Sequence, residues 1–286
     1  MMTVPTFRVD GRVAMVTGAS HGLGALFAEV LGLAGASVVV TGRTVDRLAE
    51  TARLVEATGA QCLVVPGDVT NFADCQQAAE AAIAEFGCID ILVSNAGWGD
   101  DSLVRSEHVD PASFLKMVVT DLVGLFYTTR AVGPHMLRAG QGSILNLSSI
   151  LGDGGSANRT AGYFASKGGV NNLTKLLACR WADRGVRVNA LAPSICSSEM
   201  TRTLLEDSGM ADWMRSRTPM RRLRELDELV GPLNCLASAV SSFVTGAILS
   251  IDGGYCASSG YAQNPQPWDE WSPLGRPITP SEGSDA

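Results

Sequence analysis

An α/β domain, with a parallel sheet of about seven strands and helices on both faces, is what the sequence predicts, and three observations predict it. Short apolar runs alternate with segments of helical periodicity along most of the chain. The first run passes directly into the glycine-rich stretch Thr17-Gly18-Ala19-Ser20-His21-Gly22-Leu23-Gly24. With 286 residues, 46% hydrophobic and 18% charged, the chain can also bury one sizeable core.

Strands are expected at 12–17, 37–42, 62–66, 89–94, 142–148, 186–191 and 247–251. The helix after the first strand carries Leu23, Leu26, Phe27, Val30 and Leu31 at helical spacing. A second helix over about 44–58 stops at Gly59, and a third over about 71–86 stops at Gly87. Two long amphipathic segments follow, over about 111–138 and 162–184. Phe114, Met117, Val118, Leu122, Leu125 and Phe126 lie on the first; Val170, Leu173, Leu176, Leu177 and Trp181 lie on the second. Both are too apolar around their circumference for one sheet contact alone. Helices between strands imply right-handed crossovers, hence a parallel sheet. Residues 257–286 break the pattern with five prolines and with Trp268 and Trp271. They are expected as an irregular tail, either disordered or folded over its own or a neighbouring site, after one domain spanning 1–256.

Strand, glycine turn and helix in that order build a dinucleotide pocket. Gly18 permits the tight turn, Gly22 lets backbone approach a pyrophosphate, and Gly24 lets the helix pack closely on the strand. The helix start then offers unpaired N–H groups and a partial positive charge to the phosphates. The domain is therefore expected to be doubly wound and Rossmann-like.

Tyr163 and Lys167 are the chemically most informative pair. A phenol works as an acid or base near neutral pH only when a nearby cation stabilises the phenolate. Positions four apart share a helix face, so Lys167 can be that cation. Ser149, in Asn146-Leu147-Ser148-Ser149-Ile150 at the end of a strand, is placed to hydrogen-bond a substrate oxygen.

Together these residues resemble the short-chain dehydrogenase/reductase family over about residues 7–254. The match comprises T-G-x-x-x-G-x-G at Thr17 to Gly24, Asp68-Val69, Asn95-Ala96-Gly97, Ser149, Y-x-x-x-K at Tyr163 and Lys167, Asn189 to Pro193, and Thr245-Gly246 followed by Asp252-Gly253-Gly254. The resemblance implies Ser149, Tyr163 and Lys167 as catalytic residues, with Asp121 in the place of a usual asparagine that completes a proton-relay tetrad. It also implies a cofactor held by Gly18, Ser20, His21, Gly22, Leu23 and Gly24 around the diphosphate. Asp68 and Val69 would lie by the adenine, and Asn95, Ala96 and Gly97 would line the cleft. Tyr163 and Lys167 would meet the nicotinamide ribose, and Pro193, Ile195 and Ser198 the nicotinamide amide. Helices corresponding to the two amphipathic segments pair subunits in the family, which implies a homodimer or homotetramer.

NADP(H) is favoured over NAD(H). An NAD enzyme usually places a carboxylate about 20 residues beyond the glycine turn, where this chain has Gly42. Arg43 offers instead a fork of donors matched to a 2′-phosphate, and His21 stands where NADP-using members often carry a basic residue. The expected activity is that of a carbonyl reductase, interconverting a ketone or aldehyde and an alcohol.

Several departures from the family pattern bear on rate. Aspartate at 121 cannot donate as asparagine does, and it adds a charge that can pair with Lys167 or raise its pKa. The interval from Ser149 to Tyr163 is long, with Gly152 to Gly155 allowing a flexible loop. Ser194 replaces a usual glycine and Ser198 a usual threonine. Two other readings therefore stay open at this point: an NAD-dependent alcohol, hydroxysteroid or polyol dehydrogenase, and a dinucleotide-binding regulatory or scaffold protein with impaired chemistry. The segment Ile195 to Met220 stands where the family has a cover over the substrate; its Met200, Leu204, Leu205, Met210, Trp213 and Met214 either suit an apolar or aromatic ketone over a sugar or simply pack the cover onto the domain.

Net charge of −7 with no basic tract argues against nucleic-acid or anionic-membrane partners. No apolar run approaches the ~20 residues of a membrane span. Seven scattered cysteines without C-x-x-C fit a reduced cytoplasm. The three histidines lack metal-ligand spacing, so no metal is expected.

Overall fold

The computed structural model of the chain describes residues 6–99, 104–154, 160–195 and 208–258. Seven strands form one sheet: β1 (Val13–Thr17), β2 (Ser37–Gly42), β3 (Cys62–Pro66), β4 (Ile91–Ser94), β5 (Gly142–Leu147), β6 (Val186–Pro193) and β7 (Ile248–Ile251). Their order is β3-β2-β1-β4-β5-β6-β7, and every neighbouring pair is parallel. The helices are α1 (Gly22–Leu33), α2 (Val45–Ala57), α3 (Phe72–Phe86), α4 (Pro111–Val118), α5 (Gly124–Ala139), α6 (Ala161–Trp181), α7 (Ser208–Arg217) and α8 (Val230–Ala237).

Alternation along the strands builds two cores. In β1, Ala14 and Val16 face one side with Phe27 and Leu31 of α1, Leu48 and Val55 of α2, and Leu233 of α8. Val13 and Met15 face the other, with Ala78 and Ala82 of α3, Val132 and Met136 of α5, and Leu177 of α6. Strands buried on both faces read as continuous apolar runs, which is why they are visible in the sequence. The chain winds outward from β1 through β2 to β3, then restarts at β4 and winds the other way. Loops at the carboxyl ends diverge at that switch between β1 and β4, which opens the crevice where such sheets bind ligands.

Local signals end the helices as expected at two places. Asn71 caps α3 by accepting from the Ala73 N–H, and Gly87 closes it in the left-handed region at φ 81°. The segment expected as one helix over 111–138 is instead broken into α4, a π-helical turn at Val119–Val123, and α5. The π turn holds the buried Asp121. Apolar periodicity passes smoothly through one inserted residue, so the break leaves no signal in the pattern. Of the expected tail, only 257 and 258 belong to the described residues, in a short turn at Cys256–Ser258.

Candidate active site

The β1–α1 turn is locked to the end of β4. The Thr17 hydroxyl oxygen accepts from the N–H groups of Asn95 at 3.0 Å and Ala96 at 3.1 Å. The Asn95 side chain donates back to the carbonyls of Thr17 at 2.9 Å and Gly18 at 3.2 Å. Gly18, at φ 64°, admits no side chain, since an added Cβ would lie 2.7 Å from Ala96 Cα. Gly24 packs directly on the Gly18 carbonyl and the Asn95 amide for the same reason. Gly22, at φ 58°, is exposed with open space where its side chain would be, and His21 beside it is also exposed. A cradle walled by backbone and open at Gly22, at the start of a twelve-residue helix, fits a diphosphate. Leu23 turns inward against the α1-side core.

Gly42 closes β2 against Ser20: an added Cβ would lie 2.6 Å from Ser20 Oγ. Arg43, next in the chain, is exposed. Asp68 is held in a turn, its Oδ1 accepting from the Thr70 N–H and hydroxyl, both at 2.9 Å. Val69 packs against Gly124, where an added Cβ would approach to 2.7 Å. Pro193 ends β6, the Ser194 N–H donates to the Ile251 carbonyl at 3.0 Å, and Ile195 is half-buried. Ser198, with the rest of 196–207 of the expected substrate cover, and the tail tryptophans lie outside the described residues.

Tyr163 and Lys167 occupy successive turns at the start of α6, with the Lys167 ammonium 5.6 Å from the Tyr163 ring centre. Lys167 is buried and donates to the Leu147 carbonyl at 3.0 Å. It also pairs with Asp121 at 3.3 Å, the pairing expected of an aspartate at that position. Burial pushes the ammonium down, but the Asp121 carboxylate, joined by a smaller contribution from Tyr163, outweighs it and holds the amine above its ordinary value. The other Asp121 oxygen accepts from the Trp98 N–H at 2.7 Å, and Gly97 leaves room for both oxygens, which lie 3.3 and 3.4 Å from its absent Cβ. Asp121 thus ties the Asn95–Trp98 turn to Lys167, a link that sequence spacing does not carry. Trp98 in turn lies beneath the Lys116 ammonium at 4.2 Å.

Ser149 is buried at the end of β5, and its oxygen accepts from the Leu151 N–H at 3.2 Å. With a lone pair so engaged, its O–H remains free to donate to a substrate. The loop after Ser149 starts as a short 3₁₀ turn, Ile150–Asp153, seated on α6 through Gly152, and its residues 155–159 lie outside the described residues.

The family profile described as Enoyl-(Acyl carrier protein) reductase matches residues 18–256. Cis-4-hydroxycyclohexanecarboxylate dehydrogenase of Sinomonas cyclohexanicum is 39% identical over 246 residues, 86% of this chain and 97% of its own. Gluconate 5-dehydrogenase of Gluconobacter oxydans is 36% identical over 252 residues, 88% of this chain and 97% of its own. Among solved structures, a gluconate 5-dehydrogenase from Burkholderia cenocepacia in complex with NADP and tartrate superposes with a TM-score of 0.84 at 35% identity, covering 89% of this chain and 99% of that one. Levodione reductase superposes with a TM-score of 0.83 at 29% identity, covering 88% and 100%. With its parallel sheet, glycine cradle and Ser149–Tyr163–Lys167 constellation, this chain belongs to the short-chain dehydrogenase/reductase family and is an oxidoreductase of that family.

Proposed function

We propose that the protein is an NADP(H)-dependent oxidoreductase interconverting a ketone or aldehyde and the corresponding alcohol, with Tyr163 as general acid and base. The observation that carries this reading is the buried Lys167, held by Asp121 and the Leu147 carbonyl one helical turn from Tyr163. A binding module needs no such aligned acid and cation. When bound, the nicotinamide supplies or accepts the hydride. In reduction the Tyr163 hydroxyl gives its proton to the substrate oxygen, and the Lys167 ammonium stabilises the phenolate left behind. Two of the three ammonium donors are committed, to Asp121 and Leu147, so the third is available at the cleft. The Ser149 O–H donates to the same substrate oxygen and stabilises charge developing there. In oxidation each transfer runs backwards.

Gly42 supports the phosphorylated cofactor. A carboxylate at that position would have to displace Ser20, whereas the neighbouring Arg43 makes no hydrogen bond or ion pair among the described residues and is open to a 2′-phosphate. The relatives' named substrates include hydroxy acids and polyols, so the substrate panel should include these beside apolar and aromatic ketones and diketones. The test follows absorbance at the nicotinamide wavelength with NADPH and NADH in parallel, and with the oxidised pair and alcohols. Turnover with NADPH preferred is expected; cofactor binding without turnover on any member would sink the proposal.

The same reading includes a homodimer or homotetramer in the cytoplasm. An open apolar groove of about 580 Å³ runs between the π turn and α6, lined by Leu122, Val123, Phe126, Gly169, Leu173 and Leu176, with Phe126 and Leu176 exposed. A second copy presenting the same face would cover it. Phe126→Glu should shift sedimentation toward the monomer. The six described cysteines are free thiols, as a reducing compartment allows.

A further inference from the structure

The contact between β5 and α6 carries a line of polar side chains beside its apolar ones. Along one face of α6, Lys167, Asn171 and Thr174 each engage the strand or its end. Lys167 donates to the Leu147 carbonyl at 3.0 Å, the Ser148 hydroxyl donates to Asn171 Oδ1 at 2.5 Å, and Asn146 Nδ2 donates to Thr174 Oγ1 at 2.9 Å. Asn171 and Ser148 are 1% and 2% exposed, so this bond is shut away from water. The other side of the Asn171 amide faces Gly152, where an added Cβ would lie 2.5 Å from Nδ2 and 2.9 Å from the Lys167 carbonyl oxygen. Nδ2 has no hydrogen-bond partner among the described residues. Leaving a buried amide half satisfied is unfavourable, and an apolar side chain of that size would avoid it. Asn171 thus grips the chain on both sides of Ser149, through residue 148 before it and residue 152 after it. The Gly152 N–H closes the span by donating to the Ser149 carbonyl at 2.9 Å.

We propose that Asn171 is a positioning residue which, wedged between the Ser148 hydroxyl and the Gly152 backbone, sets the distance of Ser149 from Tyr163. Tyr163, Lys167 and Asn171 stand at successive turns of one helix, so the clamp fixes the serine in the frame that carries the tyrosine. Asn171 is uncharged, and its loss alters geometry without altering the charge around Lys167. The inference rests on the reading of Ser149 as the group that binds the substrate oxygen.

The experiment compares the full-length wild type with Asn171→Ala, Ser148→Ala and the double variant. Each single change should lower kcat about tenfold or more, since sub-ångström to ångström misplacement of a catalytic donor has effects of that order. The dissociation constant for NADPH should move by less than about twofold, and the double variant should be no slower than Asn171→Ala, because the two residues act as one contact. Unchanged kcat, a loss matched by weaker NADPH binding, or additive losses would overturn the proposal. Hydrogen exchange gives a readout independent of turnover: amides of 149–152 should exchange faster in the variants while those of 17–24 do not. If the wild type turns over nothing, the functional reading fails and exchange alone decides the clamp; equal exchange in wild type and variants refutes it. Should Asn171→Ala fail to fold, Ser148→Ala, which deletes one hydroxyl, carries both measurements.

Discussion

β1 and β5 both lead into the turns that matter, yet they are fastened to their helices by opposite means. β1 meets α1 through apolar side chains and through residues that have none: Gly18 and Gly24 let backbone touch backbone, and the cradle is defined by what is missing. β5 meets α6 in part through side chains that are present and polar, Asn146 on the strand, Ser148 just past its end, and Lys167, Asn171 and Thr174 on the helix. A cofactor diphosphate needs room and backbone donors, which glycine provides without further help. Proton transfer needs atoms held at fixed separations, which directional hydrogen bonds provide.

Four changes break or sharpen that contrast. The largest effect is expected from Tyr163→Phe on the β5 side, which should lower turnover by roughly 10²- to 10⁴-fold while NADPH binding, followed by fluorescence, is retained. A variant that kept its rate would remove the tyrosine from the chemistry.

Asp121→Asn comes next, at about 3 kcal/mol of stability at neutral pH, because it takes the counter-charge from a buried ammonium. The sign with pH follows from Lys167. Its folded pKa is raised above the ordinary 10.5, so the stabilisation is fully present below 10.5 and is lost as pH rises through the higher folded value. Without the carboxylate, burial is left opposed only by Tyr163, and the alkaline fall in stability should begin at lower pH. Urea midpoints from pH 7 to 11 that ran parallel for the two proteins would show the pair to be idle.

On the β1 side, Gly18→Ala forces a Cβ against Ala96 at a positive φ and should cost roughly 1–3 kcal/mol, with loss of cofactor affinity greater than loss of kcat. An equal effect on both would mean that the cradle is not where the diphosphate lies. Arg43→Ala should be mildest in stability and selective in binding. A rise of about tenfold in KM for NADPH is expected from the loss of charge-assisted bonds, with KM for NADH unchanged. Equal changes for both cofactors would remove the 2′-phosphate assignment.

The sheet and its helices were legible because strands buried on both faces are written as unbroken apolar runs and because Gly87 and Asn71 punctuate α3 by local rules. The order of the glycine turn, Ser149, Tyr163 and Lys167 was legible for a similar reason, since each lies on a short motif. The pairing of Asp121 with Lys167 was open to inference from charge alone. Its second bond, to the Trp98 N–H, joins residues with no spacing rule between them. Asn146 and Ser148, two apart at the end of a mostly apolar strand, and Asn171 and Thr174, three apart on a helix, did leave a trace: polar residues on a face that ought to be buried. Gly152, expected within a flexible loop, is small because α6 lies against it, and residues 155–159 lie outside the described residues.

The π turn at Val119–Val123 carries one residue more than an α-helix would need there, and the wider turn absorbs that surplus locally. An extra residue in an unbroken α-helix would instead rotate one flank by about 100° relative to the other. Met117, seated against Thr160 and Gly162 at the head of α6, and Asp121, paired with Lys167, thus each keep their place. Asp121 apart, the stretch should therefore accept changes of residue type more readily than a change in its length.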